Sequence, residues 1–492
     1  MKPISSLFCI PVIIVTMLMS GCAVGPDFVR PAAPTVTSYT PEPIAKQTVF
    51  APVAGGEAQT FAENEKIPRQ WWTLFQSPAL NKLIGQAIKN NPSLQQAEAA
   101  LKVAQESVYA QQGAYYPTIS ANYSPSRQKE ALATVSSSAA SGASLFNLHT
   151  AQLNVAYTAD VFGNNRRQVE SLQAQADYQR FQREAVYLTL TSNVVNTAIQ
   201  EASLRAQIKA TKAMIVIEQG QLDLFRRQLE LGAIPEANVV AQIAQLAQTE
   251  ALLPTLQKQL AVQRDLLSAL VGQVPSEALP EVFEFSMLQL PLTIPLSLPS
   301  QLIEQRPDVR SAEEQLHSAS AEVGVAKSNM LPQFTLSADG GSMATQFSQL
   351  FKSGTGFWTL MGGITQPIFD GGTLLHKKRA AEAAYDQAAA QYRSTVIGAF
   401  QNVADTLQAL QFDADGVRTT STAERAANES LTIAQRQVEL GDIAYVTLLN
   451  AEQNYQQSVI ALVQAQTNRY ADTAALFQAL GGGWWNQDEV KQ

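Results

Sequence analysis

Two cysteines occur in the 492 residues, at positions 9 and 22, and no thiol follows Cys22. Disulfides, thiolate metal sites and cysteine nucleophiles are thereby excluded from the chain beyond its N-terminal leader. Histidine is nearly as scarce. His149, His317 and His376 lie far apart without metal-ligand spacing, and read as isolated surface or loop residues. Charged residues are 15% of the chain, against the usual ~25%, and uncharged Gln, Ala, Ser and Thr fill the polar positions. The net charge is −8, and no Lys/Arg cluster with interleaved aromatics offsets it, which argues against a nucleic-acid partner. No catalytic carboxylate pair, nucleophile elbow or phosphate-binding glycine loop stands out, so no enzymatic activity is assigned. Glu313-Glu314, and Asp413 and Asp415 near Gly416, read as solvated carboxylates on helix faces. Proline is missing from two stretches of 68 residues, Asn164 to Leu231 and Thr373 to Leu440.

What is present is a duplication. Asn91-Pro92 opens a helical stretch that ends at Tyr116-Pro117, and Arg306-Pro307 opens another that ends at Leu331-Pro332, with a proline-to-proline spacing of 25 residues in both copies. Each copy continues through two β-like segments, the second ending in Phe162-Gly163 or Phe369-Asp370-Gly371-Gly372. A long Ala/Gln-rich helix follows, to Leu231-Gly232 or Leu440-Gly441. A further helix closes each copy at Ala269-Leu270-Val271-Gly272 or Ala479-Leu480-Gly481-Gly482. A repeated strand–strand–long-helix unit must bury its faces against copies of itself.

The N-terminus reads as a signal peptide over residues 1–21. Lys2 precedes an apolar run from Leu7 to Met19, too short to span a bilayer as a mature helix, and Ser20-Gly21 precede Cys22. The small pair before Cys22 resembles a bacterial lipoprotein box, with Met19 where Leu is usual. Cys22 is therefore the expected site of a covalent lipid, the one prosthetic group anticipated, and Ala23 after it points to the outer membrane. Residues 23–70 are rich in Pro, Ala, Thr and Gly and predict an extended tether, anchored by Trp71-Trp72 and Phe75.

The β-like segments alternate. Leu153, Val155, Tyr157 and Ala159 oppose Gln152, Asn154, Ala156 and Thr158; Phe334, Leu336 and Ala338 oppose Gln333, Thr335, Ser337 and Asp339. Ile119, Ala121 and Tyr123 mark one partner; Trp358, Leu360 and Ile364 mark another, weakened by Gly362-Gly363. Each is about ten residues, the length of a tilted strand across a bilayer. Four strands cannot close a barrel and an open edge is not tolerated in lipid, so embedded strands require several chains to pool them. Leu132 to Ser144 and Gly340 to Gly356 are the expected hairpin loops.

Within the two proline-free runs, Phe181, Ala185, Leu188, Ser192, Val195, Ile199, Ala202 and Ala206, and Tyr385, Ala389, Tyr392, Val396, Ala399, Val403, Thr406 and Leu410, follow 4-3 spacing. That is a coiled-coil seam with many small residues. Each run is ~100 Å of helix. The flanking helices of each repeat, 39 and 24 residues, stack to 63, nearly the same length. Pro254 should kink the first 39-residue segment, and the Pro-rich 274–300 segment should wrap around the outside at the break.

These residues resemble the outer membrane factors, the exit ducts of tripartite efflux pumps, in their lipoprotein branch. The likeness runs through Cys22-Ala23-Val24-Gly25-Pro26-Asp27-Phe28 with Arg30-Pro31, then Trp71-Trp72-Thr73-Leu74-Phe75. It continues in Arg306-Pro307-Asp308-Val309-Arg310, Gln366-Pro367-Ile368-Phe369-Asp370-Gly371-Gly372 and Ala479-Leu480-Gly481-Gly482-Gly483-Trp484. The resemblance implies an α+β membrane protein: a homotrimer whose four strands per chain form a 12-stranded transmembrane β-barrel, continued by a long periplasmic α-helical barrel. It implies docking on a periplasmic adaptor (membrane fusion) protein and an inner-membrane RND transporter, besides outer-membrane lipid.

A passive duct needs a closable end, expected where the helices turn at Gly232-Ala233 and Gly441-Asp442, the adaptor-contact tips. The resemblance maps the narrow apolar ring onto Val446 and a polar ring one turn deeper onto Asn450, with Gln453 after it. Asp and Arg are common in the family where Asn450 and Gln453 stand here. The neutral pair cannot make inter-subunit salt bridges, so closure is expected to rest on packing of Tyr445 and Val446. The expected organisation is signal peptide 1–21, lipidated tether and equatorial segment 22–77, repeat 78–273, equatorial linker 274–300, repeat 301–480 and equatorial tail 481–492. Two other readings remain, a type I protein-secretion channel and a non-conducting coiled-coil surface lipoprotein. Lipoprotein Cys22 and Gly25-Pro26-Asp27 favour drug efflux.

Overall fold

The computed structural model describes residues 23–63, 65–129, 145–277 and 279–486. The expected signal peptide, Cys22 and the 132–144 loop lie outside them. The chain forms two compact units, one from residues up to Arg30, 101–179 and 312–392, the other from 31–100, 180–311 and 393 onward. Each unit therefore takes segments from both repeats.

In the first unit, strands β2 (Thr118–Lys129) and β3 (Leu145–Ala159) pair antiparallel, as do β5 (Gln333–Ala344) and β6 (Gly356–Thr365), and β3 pairs β5. The order β2-β3-β5-β6 leaves β2 and β6 at the edges. Register aligns Ile119, Val155, Ala338 and Leu360 in one row, and Ala121, Leu153, Gly340 and Trp358 in the next. Rows of the opposite face read Ser120, Asn154, Asp339, Thr359 and Thr118, Ala156, Ser337, Met361. One face is thus apolar and the other mainly polar. Neither is covered: β2 is exposed along its whole length, and Trp358 and Leu360 are 81% and 74% exposed. Two expectations change. Gly340 and Gly341 belong to β5, so the second hairpin's loop starts after Ala344, and His149 sits within β3 bonded to the Tyr123 hydroxyl rather than in a loop.

Two long helices leave this sheet, α3 (Asn164–Glu230) and α8 (Thr373–Leu440). Each start is met by a carboxylate just upstream of it, at different positions in the two repeats. Asp160 accepts from the Asn165 and Arg166 amides at 2.9 and 3.1 Å, and Asp370 from the Gly372 and Leu374 amides at 2.9 and 2.7 Å. A negative group here satisfies the unpaired N–H groups of the first turn and faces the positive end of the helix dipole.

Residues 23–30 are fastened to helices of the same unit. Arg167 is buried and bonds Asp27 and Glu170, each at 2.7 Å. Phe28 stacks on His317 at 4.3 Å, and Arg30 pairs with Glu313 at 2.9 Å. His317 lies on α7 (Pro307–Ser328) between Glu314 and Glu170, which hold its imidazole above the usual range against the opposing effect of burial. Neither Glu313 nor His317 is the solvated residue anticipated, because the N-terminal segment covers that helix face.

The second unit contains α1 (Pro78–Asn90), the start of α2 (Pro92–Gln112), most of α3 and of α8, the helices between residues 236 and 305, and the C-terminal helix. Trp71, Trp72 and Phe75 are buried in a short 3-10 turn, with Trp71 stacked on Phe477 at 5.4 Å. The tether adds strand β1 (Thr60–Glu63), paired in parallel with β4 (Thr293–Leu296) of the Pro-rich linker. Helix α6 (Pro299–Gln305) then leads to Arg306, whose guanidinium bonds Asp308 and the Ala479 carbonyl at the end of α9 (Tyr445–Ala479). That contact gives the Arg-Pro-Asp motif a structural role: it ties the start of the second repeat to its end.

Pro254 interrupts its segment, which divides at Ala251 into α4 (Glu236–Glu250) and α5 (Leu252–Val271), although Ala251 itself keeps helical dihedrals (φ −63°, ψ −18°) and donates to the Ala247 carbonyl at 3.0 Å. Proline's ring clashes with the carbonyl four residues earlier, here Glu250, where the first piece stops. α9, without proline, is continuous. The seam of α3 is buried at Phe181, Leu188, Ser192, Val195, Ile199 and Ala202; that of α8 is buried at Tyr392, Val396, Ala399, Val403 and Leu410, but Tyr385 is exposed. Asp413 is also not solvent-facing. It is packed against Asp472 and Arg469, and burial, with the Asp472 carboxyl beside it, pushes it up to about 7.

Candidate functional site

The α3–α4 and α8–α9 turns are built alike. Gly232 donates to the Leu229 carbonyl and Ala233 to Gln228; Gly441 donates to Val438 and Asp442 to Gln437, at 2.8–3.1 Å. Both glycines have positive φ, +72° and +78°, as this helix-ending motif requires. Ile234 and Ile443 follow at matching positions and turn inward, and Pro235 and Ala444 precede the returning helices.

The two hairpins pack on one another through Leu222, Phe225, Val239, Leu246, Leu431 and Leu448, with Tyr445 against the cluster. The Tyr445 ring meets Phe225 edge-on at 4.5 Å, and its hydroxyl donates to Gln242 Oε1. Val446, the adjacent residue, is 59% exposed, and Asn450 lines an open groove of about 460 Å³ with Glu429, Ile433 and Asn454. Gln453 Nε2 donates to Gln245 Oε1 at 3.2 Å. Tyr445 and Gln453 thus tie hairpin to hairpin, whereas Val446 and Asn450 face outward from that contact.

Beneath the apolar layer lies a polar one not anticipated from sequence. Glu218 of α3 and Glu452 of α9 are both fully buried. Glu218 Oε1 accepts from Gln245 Nε2 and Thr249 Oγ1 at 3.2 and 2.9 Å, and Gln242 donates to the Glu218 carbonyl. Neither oxygen of Glu452 has a hydrogen-bond partner, nor does Glu218 Oε2. Burial, reinforced by Glu218, raises Glu452 to about 7; burial also raises Glu218, despite its two donors. The available signal was positional: Glu218, Leu222 and Phe225 fall at 4-3 spacing, as do Leu448, Glu452 and Tyr455. A carboxylate in an apolar seam must be paired, neutral or strained.

Among known proteins the chain is 29% identical over 440 residues to the pyoverdine export outer membrane protein OpmQ of Pseudomonas putida, covering 88% of this chain and 93% of that one. It is 26% identical over 475 residues to the probable outer membrane lipoprotein SilC of Salmonella typhimurium, covering 95% and 97%. Among solved structures, the outer membrane protein VceC of Vibrio cholerae superposes with a TM-score of 0.79 at 27% identity, over 84% of this chain and 99% of VceC. The family model for outer membrane efflux proteins matches residues 83–273 and 298–482, and with the two-faced sheet and paired helix hairpins described above, the chain belongs to that family.

Proposed function

We propose that this protein is the outer-membrane exit duct of a tripartite, RND-type efflux pump, passively conducting small toxic compounds from periplasm to exterior. Three copies pool their four-stranded sheets into one 12-stranded barrel, and their helices form a hollow periplasmic continuation. The observation supporting this reading is the sheet itself. Its apolar rows are bare, its opposite face is mainly polar, and the outer edges of β2 and β6 have no partner among the described residues. Such a sheet suits lipid outside and water inside only once its edges are paired.

Export and efflux in the names of the relatives support small-molecule cargo, and SilC's description as a lipoprotein supports acylation of Cys22. The barrel would embed the assembly on its own, so the lipid on Cys22 acts as an aid to assembly. A Cys22→Ser chain directed by a cleavable signal is expected to trimerise still. The Gly232-Ala233 and Gly441-Asp442 turns would receive the periplasmic adaptor, and Tyr445, Val446, Asn450 and Gln453 would line or brace the closable end. Purified protein in planar bilayers tests the reading together with native mass spectrometry in detergent. Trimers with discrete conductance, larger in Val446→Ala and Asn450→Ala, are expected. A freely soluble monomer without conductance would overturn the duct.

A further inference from the structure

The buried carboxylates Glu218 and Glu452 face each other across the junction of the two helix hairpins, next to the turns where the proposed duct closes. They differ from the other buried carboxylate of α3. Glu201, equally inaccessible, is met by Arg205 at 2.7 Å and Arg264 at 2.8 Å. Among the described residues no lysine or arginine pairs with Glu218 or Glu452. The charged groups acting on them are Glu218, on Glu452, and Glu250 of α4, on Glu218. The phenols nearby are Tyr445, whose hydroxyl is raised by burial and then by Glu452 and Glu218, and Tyr455, which senses Glu424 of α8. Every one of these neighbours is neutral or negative.

An ionised Glu452 in this place would be a buried charge without a cation or a hydrogen-bond donor, which costs several kcal/mol unless the group moves to water or takes a proton. We infer that Glu452 is a positioning residue of the closable end: protonated, it lets the α8–α9 hairpin seat against α3 and α4 through Tyr445 and Gln242, and its ionisation drives the two hairpins apart. This deepens the duct reading and rests on it for the meaning of opening, though not for the hairpin contact itself.

The sign follows from proton linkage. The packed junction holds Glu452 raised to about 7, from an ordinary 4.5. The packed form therefore binds more protons than the separated form between those values. Its stabilisation is complete below about pH 4.5 and is lost as pH rises to about 7. The shift in the packed-to-separated ratio is at most ~300-fold, the full span between those two values.

Hydrogen exchange of the full-length protein in detergent micelles, corrected for intrinsic rates, tests this directly. Between about pH 5 and pH 8, amides of 215–250 and 440–456 are expected to lose protection by about tenfold or more, while the seam around Glu201 stays unchanged. Glu452→Gln, neutral at every pH, should keep these amides protected and flatten the profile. Glu218→Gln, which removes one of the two opposed charges, should move the transition to lower pH. A flat profile in the parent protein, or an undiminished one in Glu452→Gln, overturns the inference. Absence of conductance at any pH would strike the duct reading and leave the exchange result to decide this one.

Discussion

The hydroxyl of Tyr445 on α9 donates to Gln242 Oε1 on α4, binding the second repeat's hairpin to the first by one side-chain hydrogen bond. Tyr445→Phe keeps the edge-on contact with Phe225 and removes only this bond. The loss is expected to be ~1 kcal/mol, about fivefold in the balance between seated and separated hairpins. Single-channel recording should show a correspondingly larger open fraction. Unchanged gating in this variant would show that the bond does not hold the end closed.

The turn glycines permit a narrower test. Gly441 has φ of +78° and open space around its Cα, so backbone conformation alone restricts substitution. Gly441→Asn should be nearly neutral, whereas Gly441→Val should cost ~1–3 kcal/mol through strain at positive φ. Thermal unfolding followed by circular dichroism separates the two. Equal melting temperatures would mean the turn relaxes to another geometry.

Leu360 and Thr359 are neighbours on β6 that point to opposite faces. Leu360→Arg places a charge among the apolar rows and is expected to destabilise the embedded barrel by ~2–4 kcal/mol near mid-bilayer. Thr359→Arg places it on the polar face, where folding should be retained and ion selectivity shifted toward anions. Heat-modifiable migration on gels reads folding, and reversal potentials read selectivity. If both variants fold equally well, the faces have been assigned wrongly.

Trp71 is fully buried against Phe477, Trp72 and Phe75, and anchors the tether to the helices of the second unit. Trp71→Ala should cost ~3–5 kcal/mol. Its first visible effect should be protease cleavage within residues 31–70. Resistance equal to the parent's would place the anchor elsewhere, at Thr48, whose Oγ1 accepts from the Gln59 amide at 2.9 Å and from the Arg469 guanidinium at 2.6 Å.

Much of the fold is legible in the sequence because it rests on periodicity. The 4-3 spacing in 164–231 and 373–440 sets two long helices, and the alternation at Gln152–Ala159 and Gln333–Asp339 sets strands whose faces differ in polarity. The termini of the long helices fall within two residues of Gly232 and Gly441 because glycine readily enters the left-handed conformation there. Less legible are features in which partners distant in sequence supply the environment. Asp413 and Glu313 sit at positions that a helical wheel would call solvated. Glu313 is buried beneath Arg30, and Asp413 is half-buried with Asp472 and Arg469 beside it. Glu452 follows the same rule, since its oddity depends on Glu218 lying across the hairpin junction.

By itself the sequence determined the repeat, through motifs that recur in the same order, and the element types, the two-faced strands, the turn glycines and the aromatic anchor, because each of these depends on residues within a few positions of one another. Tertiary structure decided the strand order β2-β3-β5-β6, the break of the Pro254 segment at Ala251, the Arg306–Ala479 clasp and the meeting of two carboxylates without a cation. Those outcomes depend on which distant side chains share a low-dielectric space. Burial changes the cost of a charge far more than any local sequence preference does.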